Sequence, residues 1–278
     1  MIDRDCVAFL QWCLPRMGMR WGGFRKVRRQ VCKRIARRID ELGLDGAQSY
    51  RSFLESHEKE WKALESLCRV TISRFYRDRG VFDTLRDHVF PGLVELAVAR
   101  GDDRVRCWSG GCASGEEPYT LSIIWQHDRY PVELEIVATD ADERLLERAR
   151  EGSYNYSSLK DLPAGLRAWA FDAVDGRFAL HDDIKLGVKF EQRDVRELPP
   201  PGSFHLVLCR NLPFTYFDDE GQRAVLGSIQ SVLVPGGFLV VGVHERLPEL
   251  PGGAADFEPF GAQPAILKRV TPSGPAPA

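Results

Sequence analysis

Apolar runs recur through the second half of the chain, and each is broken by small or acidic residues. Val105 to Trp108 runs into a loop of small residues and then into a helix-like pattern, Leu121-Ser-Ile-Ile-Trp125, which predicts a strand, a tight turn and a helix start. Leu134-Glu-Ile-Val-Ala-Thr-Asp140 is dominated by Leu, Ile and Val, as in a buried parallel strand, and ends in an acid. Asp142 caps a predicted helix over Glu143–Glu151. Phe204-His-Leu-Val-Leu-Cys-Arg-Asn211 is a third strand signal. A fourth, Phe238-Leu-Val-Val-Gly242, follows a turn at Pro235-Gly-Gly237, with a helix between them over Asp219–Leu233. Ala265–Val270 reads as a short strand that pairs antiparallel with an edge. Strands alternating with helices at this spacing predict an α/β fold, a parallel sheet with crossover helices.

The N-terminal region has a different period. Val27, Val31, Ile35 and Ile39 fall at four-residue steps and make one apolar stripe on a helix predicted over Phe24–Leu42. This segment carries eight cations against two acids, a net of +6, so that with the whole chain at −2 the remainder carries −8. Like charges four residues apart repel, so the excess goes beyond what solubility needs. It suits docking of an acidic partner, protein or nucleic acid, through Lys26, Arg29, Lys33 and Arg37. The predicted organisation is a helical domain over residues 1–70, a catalytic domain over 71–270 and a disordered tail over 271–278. An insert over about 172–192 holds short alternating strands, Arg177–His181 and Lys185–Phe190, joined by a turn at Asp182-Asp183.

The candidate chemistry lies in Cys107-Trp-Ser-Gly-Gly-Cys-Ala-Ser-Gly-Glu-Glu-Pro-Tyr119. Gly110, Gly111 and Gly115 lack a Cβ, so the backbone turns sharply and a ligand can lie against it, at the carboxyl end of a strand. The loop has no Lys and two acids, Glu116 and Glu117, which excludes a phosphate cradle and suits a cationic ligand with hydroxyls such as S-adenosylmethionine. Asp140, about one strand and one helix later, is placed to accept hydrogen bonds from a ribose diol. No membrane span is expected, because no run of apolar residues is long enough. Seven cysteines at irregular spacing form no metal motif and read as reduced, buried thiols of a cytoplasmic protein.

Ser-Gly-Glu-Glu-Pro-Tyr, Thr-Asp-Ala-Asp, Cys-Arg-Asn and Pro-Gly-Gly, in that order, resemble the chemotaxis receptor methyltransferases, the CheR family. Thr71-Ile-Ser-Arg-Phe-Tyr-Arg77 and Arg150-Glu-Gly-Ser-Tyr-Asn-Tyr156 extend the resemblance to roughly residues 20–270. It implies a Rossmann-like class I methyltransferase sheet, a small helical N-terminal domain and a small antiparallel insert. It also implies methylation of protein glutamates by S-adenosylmethionine, with S-adenosylhomocysteine as product. Cofactor contacts are implied for Thr71, Ser73, Arg77, Gly110, Ser114, Glu116, Asp140, Asp194, Val195, Arg210 and Asn211. Arg77 and Tyr216 are the implied catalytic residues, and the basic helix is implied to meet an acidic receptor bundle, which favours protein over nucleic acid. The sequence carries no signal for oligomeric state. Two segments depart from the family. Four residues rather than three separate Cys-Arg-Asn from Tyr216, and Gly-His-Ser-Glu is replaced by Gly242-Val-His-Glu245. The resulting Asn211-Leu-Pro-Phe214 resembles the motif of amine- and amide-methylating enzymes, which makes Asn211 and Phe214 candidate acceptor contacts. Glutamate O-methylation is therefore the leading expectation. Methylation of a small molecule or of an amide or amine nitrogen is the alternative, and a non-catalytic cofactor-binding module is a third.

Overall fold

The computed structural model describes residues 3–249 and 257–270; the 271–278 tail lies outside them. Its strands are β1 (Arg104–Gly110), β2 (Glu133–Asp140), β3 (Ser153–Tyr154), β4 (Phe171–Val174), β5 (Arg177–Leu180), β6 (Val188–Gln192), β7 (Phe204–Leu208), β8 (Leu233–Val240), β9 (Phe257–Phe260) and β10 (Gln263–Arg269). The chain gathers into two units. One holds the described residues up to Thr71 together with Thr215–Gln222. The other holds Ile72–Phe214 and the described residues from Arg223 onward.

The larger unit is built on a seven-stranded sheet in the order β6-β2-β1-β7-β8-β10-β9. β6, β2, β1, β7 and β8 run parallel; β10 is antiparallel to β8, and β9 to β10. The Ala265–Val270 strand thus pairs antiparallel as expected, one strand in from the edge. β7 is buried along its whole length, which is why Phe-His-Leu-Val-Leu reads as an unbroken apolar run. The strand order reverses between β1 and β7, and in open α/β sheets that reversal opens a crevice at the carboxyl ends of the strands. The helix Glu116–Asp128 follows β1, and Glu143–Glu151 follows β2 with Asp142 accepting from the Arg144 N–H at its start, as the sequence predicts.

Four expectations are corrected. The hairpin turns at Asp175-Gly176, not at Asp182-Asp183. Both turn residues have positive φ (49° and 76°), as a two-residue type I′ turn requires, and β4 pairs with β5 across it while β3 flanks β5. Asp182 and Asp183 instead begin a short helix, where acids favour the N-terminal dipole, and the following strand is β6, at the edge of the main sheet. Pro235-Gly-Gly237 is no free turn but lies inside β8, where pairing with β7 shifts register between Phe204 and Leu206. The predicted Phe24–Leu42 helix is two helices, Trp21–Phe24 and Arg28–Glu41.

The fourth correction concerns sulfur. Cys6 and Cys32 form a disulfide, joining the Asp3–Cys13 and Arg28–Glu41 helices with Cα atoms 5.9 Å apart. Spacing alone could not reveal a pair created by two helices packing together. The other five cysteines are free and buried. Around the disulfide, Phe9, Leu10, Val31, Ile35, Ile39, Tyr50, Leu54 and Leu64 form the core of the smaller unit. Within it Glu60 is buried, receiving Arg38 Nε and Nη2 at 2.9 Å each and the Tyr50 hydroxyl at 2.9 Å. Arg38 holds the Glu60 carboxyl below the usual range.

Candidate functional site

The glycine loop follows β1 and is shaped by positive φ at Gly111 (75°), Ala113 (50°) and Gly115 (86°). A Cβ at Gly111 would lie 2.4 Å from Leu212 Cδ2, the end of a side chain that can turn away, whereas one at Gly115 would lie 2.9 Å from Ala149 Cβ, which cannot; positive φ disfavours a larger residue at both. The loop is tied to the end of β2. Gly111 and Cys112 N–H groups donate to the Thr139 carbonyl at 2.8 and 2.9 Å. The Asp140 carboxylate accepts from Ala113 N–H and Asp142 N–H at 2.9 Å each, which fixes its orientation at the carboxyl end of β2. Arg193 N–H donates to the Asp140 carbonyl, bringing the segment with Asp194 and Val195 beside it; Val195 Cγ1 lies 3.3 Å from the position of a Cβ on Gly110. Asp194 is held by Arg196, with Nη2 at 2.6 Å. The Ser114 carbonyl receives the Tyr154 hydroxyl at 2.7 Å.

Glu116 begins the helix after the loop and is 3% exposed. Burial pushes its carboxyl above the ordinary value, opposed by its own backbone N–H and by the Ser73 hydroxyl. Its Oε2 has no hydrogen-bond partner among the described residues. A buried acceptor left unmatched costs free energy, so this oxygen calls for a donor from outside the described residues. The cationic amino group of S-adenosylmethionine is such a donor, and the residues present fit it.

Arg210 and Asn211 follow β7. The Arg210 side chain is 2% exposed and bonds Glu117, Asp78 and the Arg77 carbonyl. Asn211 has φ 56°; its N–H and that of Gly242 donate to Glu245 Oε2 at 2.7 and 2.6 Å. The bonds that Glu117, Asp78 and Glu245 make here were not foreseen from sequence. Glu117 and Glu245 stand within quoted motifs, but only the fold gives them partners. Arg77 donates from Nη1 to the Ile72 carbonyl at 2.7 Å and forms no ion pair among the described residues. Phe214 is 1% exposed, so its ring has little face to offer a planar acceptor. Cys107, Cys112 and Cys209 are buried thiols pushed well above the ordinary value, which rules them out as thiolate nucleophiles.

The structure therefore brings Ser73, Gly110, Ser114, Glu116, Asp140, Asp194, Val195, Arg210 and Asn211 to the carboxyl ends of β1, β2, β6 and β7 or the loops leaving them. Thr71 and Tyr216 belong to the smaller unit. Thr71 is exposed, while the Tyr216 ring packs edge-on against Phe24 at 5.0 Å and its carbonyl accepts from the Arg20 N–H at 2.8 Å. In the same unit Lys26, Arg29, Lys33 and Arg37 are exposed.

Residues 71–258 match the family model of the CheR methyltransferase SAM-binding domain. A probable chemotaxis protein methyltransferase of Rhizobium etli is 31% identical over 78% of this chain and 84% of its own length. Chemotaxis protein methyltransferase 2 of Vibrio cholerae is 30% identical over 88% of this chain and 86% of its own. The same chain span that builds the crevice, the glycine loop and the buried Glu116 carries the match, and the protein is a member of the CheR family of S-adenosylmethionine-dependent methyltransferases.

Proposed function

We propose that this enzyme O-methylates glutamate side chains of a chemoreceptor-like protein in the cytoplasm. The observation that carries the reading is the extent of similarity to chemotaxis protein methyltransferases, which runs through residues 71–258 and so spans the acceptor side, its two departing segments included, as well as the cofactor loop. No described helix is long and apolar enough to cross a membrane.

S-adenosylmethionine supplies an activated methyl group on a sulfonium. Glu116 would hold its amino group, Asp140 its ribose, and Asp194 with Val195 its adenine. A glutamate acceptor is already ionised near neutral pH, so no residue has to remove a proton before transfer. The chain must orient one carboxylate oxygen in line and exclude water. Arg77, free of ion pairs among the described residues, orients it through a two-pronged guanidinium contact. Methylation of nitrogen is not favoured, because the Phe214 ring that would stack on a planar acceptor is enclosed.

The test is tritiated S-adenosylmethionine with a purified chemoreceptor cytoplasmic fragment. Label released as methanol by mild alkali supports a glutamate ester; alkali-stable label on the fragment overturns the reading.

A further inference from the structure

The Arg77 segment has an unusual backbone. Tyr76 and Asp78, the residues on either side of Arg77, both sit in the left-handed region, with φ 57° and 64°. Neither is glycine, and non-glycine residues there cost free energy unless their surroundings over-determine them. Two groups hold them. The Tyr76 N–H donates to Thr120 Oγ1 at 3.1 Å, on the helix that follows the glycine loop. On the other side is the Arg210 guanidinium, the centre of a buried network. Its Nη2 donates to Asp78 Oδ2 at 2.7 Å and to the Arg77 carbonyl at 3.1 Å. Its Nη1 donates to Glu117 Oε2 at 3.1 Å, while Glu117 Oε1 receives the Ser109 hydroxyl of β1 at 2.9 Å. The plane lies over the Phe82 ring, 5.2 Å from its centroid.

We infer that Arg210 is a positioning residue: both of its Nη groups are bonded within the protein, and it acts on the reaction by fixing where Arg77 stands relative to the glycine-loop helix. Three motifs that look independent in sequence are thereby one device. Glu117 of Glu-Glu-Pro-Tyr, Arg210 of Cys-Arg-Asn and Asp78 after Arg77 meet at one buried cation. The planar fork serves two carboxylates and a carbonyl from two nitrogens held at a fixed separation. A lysine ammonium keeps the charge but not the geometry. Transfer to the acceptor is sensitive to small displacements of an orienting group, so the loss should fall on turnover rather than on cofactor affinity.

The inference rests on the acceptor-orienting role proposed for Arg77, and a double-mutant cycle separates the two. Wild type, Arg210→Lys, Arg77→Ala and the double variant are assayed with tritiated S-adenosylmethionine and the chemoreceptor fragment, with cofactor Kd measured in parallel. Arg210→Lys is expected to lower kcat by about tenfold to a hundredfold, with Kd nearly unchanged. In the Arg77→Ala background the same change is expected to cost almost nothing, because the group it positions is gone. Losses that multiply across the two backgrounds, or an unaffected Arg210→Lys, overturn the inference while leaving Arg77 in place. A fully active Arg77→Ala overturns the role of Arg77 and, with it, this inference. If Arg210→Lys also loses cofactor binding, Asp78→Asn, which removes one contact of the network, is carried through the same cycle and judged by the same criterion.

Discussion

Glu116 and Asp140 show how the surroundings of a carboxylate follow from its place after or at the end of a strand. The positions of both were legible in sequence, because an acid after a glycine loop and an acid closing a Val/Ile-rich run are position signals as well as charge signals. Glu116 adds a pH dependence that sequence could not show. Burial raises its pKa, so it takes up a proton at higher pH than an exposed glutamate. Pairing with a cationic amino group needs the ionised form. Cofactor affinity should therefore fall as pH drops through that raised pKa, and calorimetric titration across the acid range should find the dependence flattened in Glu116→Gln. At neutral pH the same variant should lose about 1.5–3 kcal/mol of binding, as for a hydrogen bond to a charged group. Asp140→Ala should lose a similar amount, about 1.5–3 kcal/mol, and should also lower thermal stability, because it leaves the Ala113 and Asp142 N–H groups without their acceptor. Arg210 was less legible. A sequence shows an arginine beside a candidate asparagine, and only packing shows that its guanidinium faces Glu117 and Asp78.

Among the elements, the strands and helices of the main sheet were readable wherever one period ran uninterrupted, as in β2, β7 and the Glu143–Glu151 helix. Misreadings fell where two short signals competed. Asp175-Gly176 and Asp182-Asp183 both look like turns, but glycine beside a residue that tolerates positive φ is the stronger hairpin signal. The glycine loop makes its own prediction. Gly115→Ala combines φ 86° with a Cβ 2.9 Å from Ala149 Cβ, so it should destabilise by about 1–3 kcal/mol in urea titration. β7 carries another. His205 Nδ1 accepts from the Arg106 N–H at 3.1 Å, so Nε2 holds the proton that meets Asp102 at 2.9 Å. Burial lowers the His205 pKa, outweighing the Asp102 bond that raises it. The folded chain thus binds this proton less readily than the unfolded chain does. The stabilisation is present above the unfolded pKa of about 6.5 and is lost as pH falls from there through the lowered folded value. Asp102, itself held below its usual value, adds a loss in the same direction at lower pH. Urea midpoints measured on both sides of the window should show wild type losing stability on acidification and His205→Asn losing less.

For the whole molecule, the relevant quantity is how charge is distributed rather than its total. A chain near neutrality concentrates +6 in residues 24–42, and packing divides those cations by task. Arg28 bonds Asp3, Arg34 the Arg69 carbonyl and Arg38 the buried Glu60, so these three hold the smaller unit together. Lys26, Arg29 and Lys33 are exposed and form no ion pair among the described residues. Arg37 is exposed too, with a loose 3.5 Å contact to Glu41. The exposed set is the one the proposed acidic substrate would meet. Reversing all four to Glu leaves Val31, Ile35 and Ile39 buried as before, so fold and cofactor Kd should be retained. Encounter with the chemoreceptor fragment should slow, raising KM about tenfold or more at low salt, since steering by complementary charge changes association by 10 to 1,000-fold, an order-of-magnitude range. The difference from wild type should shrink as salt rises, because the screening length falls to about 3 Å at 1 M. By contrast, reversing Arg38 should unfold the smaller unit by leaving Glu60 buried without its partner, at about 3–5 kcal/mol. Equal KM for wild type and the quadruple variant at low salt would mean that the exposed cations serve solubility alone and that the substrate is recognised elsewhere.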